Sequence, residues 1–209
     1  MKKLMIALAI VAIASVAQAE LLATWSTADN SGLVTDGSAN ADISNLSLYG
    51  AATSTGTTSV WGMRTLTTGG GLQFTVSSVT VGYNIQNAVV AGTASGSATG
   101  PREMDWYVGA NLVSGQSVIR TTTVATAFSS TLGTLNSGDV VSLRADVAAG
   151  TVRSGTVENF TNTAGTFYIT TGGGGMTLNG DITSIPEPAT MGLLGLGALA
   201  MVLRRKMSK

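Results

Sequence analysis

The chain has 209 residues with 11 basic and 11 acidic side chains, Cys 0 and His 0, which excludes disulfides, thiolate zinc sites and imidazole ligation or catalysis. Between Glu20 and Pro186 five arginines (Arg64, Arg102, Arg120, Arg144 and Arg153) face ten carboxylates, leaving net charge −5. Such a surface repels a phosphate backbone, so nucleic acid is not an expected partner.

The first element is a leader. Met1, Lys2 and Lys3 form a cationic start, residues 4–16 are an apolar run, and Ala17, Gln18 and Ala19 follow as a small-x-small cleavage site. This order predicts a helical secretion signal over residues 1–19, cut by signal peptidase so that the mature chain begins at Glu20. An uncleaved anchor is the alternative, but ~13 residues at ~1.5 Å rise reach only ~20 Å, short of a ~30 Å hydrocarbon core.

Residues 20–184 are rich in Thr, Ser, Gly, Ala and Val and show no 3.6-residue stripe, so strands are expected to organise them. Early in this region Asp36, Ser38, Asn40 and Asp42 place oxygen-bearing side chains at alternate positions, as calcium loops do. Gly37 at the second rather than the sixth position, and the lack of a closing Glu, set the segment apart from an EF-hand. A polar Asx-rich turn accounts for the same residues. No resident metal or other cofactor is expected.

Strand candidates follow at 21–25, 43–49 and 60–66. Leu72, Phe74 and Val76 then share one parity and Val79, Val81, Tyr83 and Ile85 the other, with a bulge or tight turn at Ser77 and Ser78. Further candidates lie at 104–108, 117–122, 140–147, 165–170 and 176–182, separated by Gly, Ser, Asn and Asp turns such as 136–139 and 172–175. The pattern predicts one all-β domain, an antiparallel β-sandwich of jelly-roll-like kind, with Phe74, Val76, Val141, Leu143 and either Phe167 or Tyr168 in its core. Spacing alone does not separate a jelly roll from an immunoglobulin-like Greek key.

Hydroxyl nucleophiles abound, but residues 20–186 contain neither His nor Lys to act as their base, and the chain is not expected to be an enzyme. The catalytic alternative is a carboxylate-dependent glycosidase built on Glu103 and Asp105, which at i and i+2 on a strand otherwise read as a solvated edge. Of the scarce aromatics, Trp25, Trp61, Trp106, Tyr49, Tyr83 and Tyr107, core packing is the default role. Trp106 and Tyr107 are neighbours on a strand and must point to opposite faces, so one of them is available to stack on a sugar ring. A jelly-roll carbohydrate-binding module of an exopolysaccharide matrix is therefore the alternative to a structural or adhesive role.

The last element, residues 185–209, begins Ile185, Pro186, Glu187, Pro188, continues through an apolar, Gly-rich run over 191–203 and closes on Arg204, Arg205 and Lys206. The two prolines fix φ and keep the triplet extended and accessible to a processing enzyme. The basic cluster stays on the cytoplasmic side, so that Pro186, Glu187 and Pro188 fall on the outer side of the inner membrane. This tail resembles the PEP-CTERM sorting domain of Gram-negative bacteria. The resemblance covers about the last 25 residues and implies recognition of Glu187 and its flanking prolines by an exosortase, a membrane cysteine transpeptidase-like enzyme. It also implies transient residence in the inner membrane through a C-terminal apolar helix, then delivery to the cell surface or extracellular matrix, often in association with exopolysaccharide.

Overall fold

The computed structural model describes residues 19–25, 33–50, 52–54, 60–64, 70–96, 100–101, 103–119, 125–145, 152–153, 156–157, 166–170 and 175–185, with residues 197, 201 and 204 of the tail. The predicted signal helix (1–19) falls outside these apart from Ala19, which begins a strand. Of the predicted sorting helix only Gly197, Met201 and Arg204 are described, each in helical conformation and exposed. Among the described residues no helix is long and apolar enough to cross a membrane.

One sheet is built from β1 (Ala19–Trp25), β2 (Val34–Gly37), β5 (Thr53–Ser54), β6 (Val60–Arg64), β8 (Tyr83–Gly96), β11 (Thr126–Leu135), β15 (Thr166–Thr170) and β16 (Met176–Ser184). Its order is β2-β1-β16-β8-β15-β6-β5, with β11 also on β8. Ala91 pairs with Thr177 of β16 and Ser129 of β11, and Ala94 pairs with Ile169 of β15 and Thr126 of β11. Thus β16 and β15 succeed one another along one edge of β8 while β11 takes the other, and every pairing is antiparallel.

The second sheet comprises β3 (Ala41–Ile43), β4 (Ser47–Tyr49), β7 (Gly70–Val79), β9 (Glu103–Val108), β10 (Asn111–Ile119) and β12 (Val140–Ala145), in the order β10-β9-β12-β7-β3 with β4 also on β7. A separate ribbon joins β13 (Val152–Arg153) to β14 (Thr156–Val157). Inward side chains of both large sheets form one hydrophobic cluster that includes Leu22, Trp25, Phe74, Ile85, Trp106, Leu143, Phe167 and Leu178. Across it the rings of Trp25 in β1 and Phe74 in β7 lie 4.7 Å apart at 44°, and Trp25 Nε1 donates to the Ser44 carbonyl at 2.9 Å. On the β10/β11 side the Thr131 amide donates to Gln116 Oε1 at 2.7 Å, tying the edges of the two sheets together.

The expected core residues Phe74, Val76, Val141 and Leu143 are buried, and Phe167 rather than Tyr168 fills the remaining place. The parity switch at Ser77 and Ser78 is a bulge: Asp42 pairs with Ser78 but Ile43 with Val76, leaving Ser77 without a partner in β3. The expectation that Val79, Val81, Tyr83 and Ile85 line one face is corrected. The chain reverses at Thr80–Tyr83, where the Tyr83 amide donates to the Thr80 carbonyl at 2.9 Å and Gly82 adopts φ 80°, as the third position of a type II turn requires. Val81 is consequently 96% exposed at the tip of this turn between the sheets, although Val79 and Ile85 are buried. The candidate at 43–49 is two strands, with the ladder interrupted at 44–46. There the Ser44 amide donates to the Thr75 carbonyl at 2.9 Å, Ser44 Oγ accepts from the Thr75 amide at 2.8 Å and the Ser44 carbonyl is left to accept from Trp25. Most of β8, from Gln86 on, together with β2, β5, β11, β13, β14 and the start of β10, lay outside the predicted strands.

Candidate functional site

At one pole of the domain the chain's two ends run side by side. β1 and β16 pair from Ala19 opposite Asp181 to Trp25 opposite Met176, so the polypeptide enters at Ala19 and leaves at Ser184 on the same pole. Bulging between Leu21 and Ala23 turns both Leu22 and Ala23 into the core and secures this first strand. Of the cleavage-site residues, Ala17 lies outside the described residues, and Ala19 and Glu20 are the first two positions of β1.

Glu20 organises the neighbouring turn. Its Oε1 accepts a short hydrogen bond from Ser38 Oγ, and Asn40 Nδ2 lies 3.4–3.5 Å from both carboxylate oxygens. Ser38 Oγ also accepts from the Asn40 amide at 2.9 Å, while the Asn40 carbonyl accepts from the Thr80 amide at 3.0 Å and from Thr80 Oγ1 at 3.2 Å. Of the candidate calcium loop, Asp36 therefore belongs to β2, opposite Thr24, and exposed Asp42 to β3, opposite Ser78. Only Ser38 to Asn40 forms the turn, and its side chains act as donors to a carboxylate. Among the described residues no three His, Cys, Asp or Glu side chains are grouped as a metal would need.

Trp106, one of the two glycan-contact candidates, is 0% exposed inside the core, so it has no surface to offer a sugar. Strand alternation places Tyr107 on the opposite face, where it is half-buried. There the Arg144 guanidinium lies 4.3 Å from the Tyr107 ring centroid and 4.3 Å from that of Tyr49. Hydrogen bonds hold it in place: Nε donates to Ser142 Oγ at 2.7 Å and Nη2 to the Gly109 carbonyl at 2.6 Å. The rings reach the cation because Tyr49 of β4 and Arg144 of β12 both pair with Gly71 of β7, which has no side chain to separate them. Sequence reasoning missed Tyr49 and Arg144 as a unit; the available signal was an arginine inside a strand of a domain with only five basic side chains.

Asp105 sits in register opposite Arg144. Glu103 and Asp105 are each 4% exposed rather than on the solvated edge expected of them, since β9 is an interior strand flanked by β10 and β12. Carboxylates buried to this degree do not present the open pair between which a sugar would be cleaved.

At the other end of the chain β16 carries directly into the tail. Ser184 pairs with Tyr83, and the Ile185 amide donates to the Gly82 carbonyl at 2.6 Å. Pro186 follows and, having no N–H, cannot extend the ladder. Pro186, Glu187, Pro188, Arg205 and Lys206 lie outside the described residues. A strand-built domain followed in sequence by a Pro-Glu-Pro triplet, an apolar run and a basic stop is a β domain bearing a sorting address. Residues 184–206 match the family model of the PEP-CTERM protein-sorting motif, and the chain carries that motif. The motif implies export, processing by an exosortase and a surface or extracellular destination. No curated protein and no solved structure matches the chain.

Proposed function

We propose that the chain is an exported, non-catalytic cell-surface or extracellular-matrix protein of a Gram-negative bacterium. Signal peptidase removes residues 1–19, the C-terminal helix tethers an intermediate in the inner membrane, and exosortase cuts near Pro186, Glu187 and Pro188. The observation that carries this reading is the sorting motif beginning at the last residue of the last strand, Ser184. The β domain then acts as a structural or adhesive module. Two antiparallel sheets around one core support a sandwich, and the chain's repeated passage between sheets, as from β6 to β7, β8 and β9, supports the jelly-roll kind.

The test is Glu187→Ala in the native host. Unprocessed precursor should accumulate at the membrane while the amount of folded domain stays unchanged. Normal processing and localisation of that variant would instead favour an ordinary membrane anchor.

A second reading, carbohydrate binding by the β domain, is favoured by Tyr49, Arg144 and Tyr107 standing together on the sheet face away from the core. Aromatic rings beside a fixed guanidinium offer a sugar both stacking surface and hydrogen-bond donors. If that face binds exopolysaccharide, Tyr107→Ala should lower affinity for the host's matrix glycan by at least tenfold in calorimetry, the scale of a loss of ~1.4 kcal/mol. Equal binding by wild type and variant would remove the reading.

A further inference from the structure

The turn between β7 and β8 and the exit of β16 form one exposed apolar cluster. Val81 is 96%, Tyr83 41% and Ile185 48% exposed. They are neighbours because Ser184 pairs with Tyr83 and the Ile185 amide is bonded to the Gly82 carbonyl. Exposed apolar side chains gathered in this way mark a contact surface.

What covers them follows from the chain that leaves at this point. Three residues, Pro186, Glu187 and Pro188, separate Ile185 from Ala189, from about which the apolar helix is expected to run. Proline-stiffened chain advances ~3.1 Å per residue, so the cluster is held within ~15 Å of the bilayer whenever the tail is embedded. The entry of β1 at Ala19 lies on the same pole, so a membrane-inserted leader would hold the domain in the same orientation.

We propose that Val81, Tyr83 and Ile185 are the membrane-facing surface of the tethered precursor and rest in the headgroup region of the outer leaflet of the inner membrane. The inference rests on the reading of the tail as a bilayer-partitioning segment. Tyr83 suits this depth, because a phenol buries its ring while its hydroxyl stays wet. Of the nearby acids, Glu20 is tied to Ser38 and Asn40 and Asp181 to Asn87 Nδ2 at 2.7 Å, whereas Asp42, opposite Ser78 in β3, is exposed. The arginine whose side chain is described in the domain, Arg144, is held between Tyr49 and Tyr107 on the other sheet. Contact is therefore apolar and does not require anionic lipid. It places the sorting motif at the membrane surface, within reach of a membrane-embedded processing enzyme.

The full-length chain has Cys 0, so single cysteines can be introduced, labelled with an environment-sensitive fluorophore and read in phosphatidylcholine vesicles by iodide quenching. Labels at Val81→Cys and Ile185→Cys should be quenched several-fold less than one at Ala127→Cys, which is exposed near the far end of β8, opposite Thr93. A label at Ala200→Cys in the tail should be shielded most. If Ala200→Cys is shielded while Val81→Cys and Ile185→Cys are as open as Ala127→Cys, the surface is overturned and the tail reading stands. An open Ala200→Cys overturns the tail reading and this surface with it. Shielding at Val81→Cys that fades as more lipid dilutes the protein would mean that a second copy covers the turn, which also overturns the proposal.

Discussion

Replacing Trp25 by alanine is expected to remove about 3–5 kcal/mol from the domain's stability, read as a lower urea midpoint at unchanged slope. Trp25 is wholly buried, its ring packs on Phe74 at 4.7 Å and its Nε1 is bonded to the Ser44 carbonyl. The substitution opens a cavity between the two sheets and strands that carbonyl, so the transfer and hydrogen-bond losses add. In a domain of this size such a loss lowers Tm by roughly 6–20 °C. Trp25→Phe should cost less, since it keeps a ring against Phe74 and loses chiefly the bond to Ser44. Equal stability of wild type and Trp25→Ala would contradict a core shared by both sheets.

Ending the chain after Ile185 is expected to leave Tm within about 2 °C of the full-length value, the scale of changes at exposed positions away from core packing. Among the described residues Ile185 makes the last backbone bond to the domain, to Gly82, and Pro186 has no N–H to continue it. The same truncation should abolish surface sorting in the native host, because residues 186–206 carry nearly all of the matched motif. Ending the chain after Asn179 instead removes Asp181, Ile182, Thr183 and Ser184, which pair with β8 from Gln86 to Tyr83. That variant should be strongly destabilised, with early protease susceptibility as the readout. A truncation after Ile185 that unfolds the domain would show the tail to be part of the fold.

Strands with alternating large apolar residues were legible because their pattern matches a pleated surface with one buried face. Leu72, Phe74 and Val76 are such a case, and so are Val141 and Leu143. Most of β8, from Gln86 to Gly96, and β11 were not legible, since Ala, Gly, Ser and Thr provide little alternation. Those segments are strands because each lies against the other along nearly its full length, and cross-strand pairing rather than intrinsic propensity decides such stretches. Asn87, at φ 50°, marks a break in that register and sends its side chain to Asp181, ninety-four residues away.

The candidate sites divide in the same way. Trp106 and Tyr107 had to face opposite ways, but which of them faced the core depended on what the second sheet packs against. Tyr49 and Arg144 are ninety-five positions apart in the chain and meet only because β4 and β12 both lie on β7. The sequence by itself determined the sorting motif, because residues 184–206 match it as a linear pattern that needs no fold to be read. The tertiary structure alone decided that the address begins where β16 meets the β7–β8 turn, beside the entry of β1. Non-local backbone pairing brings those chain ends together, and no local pattern encodes it.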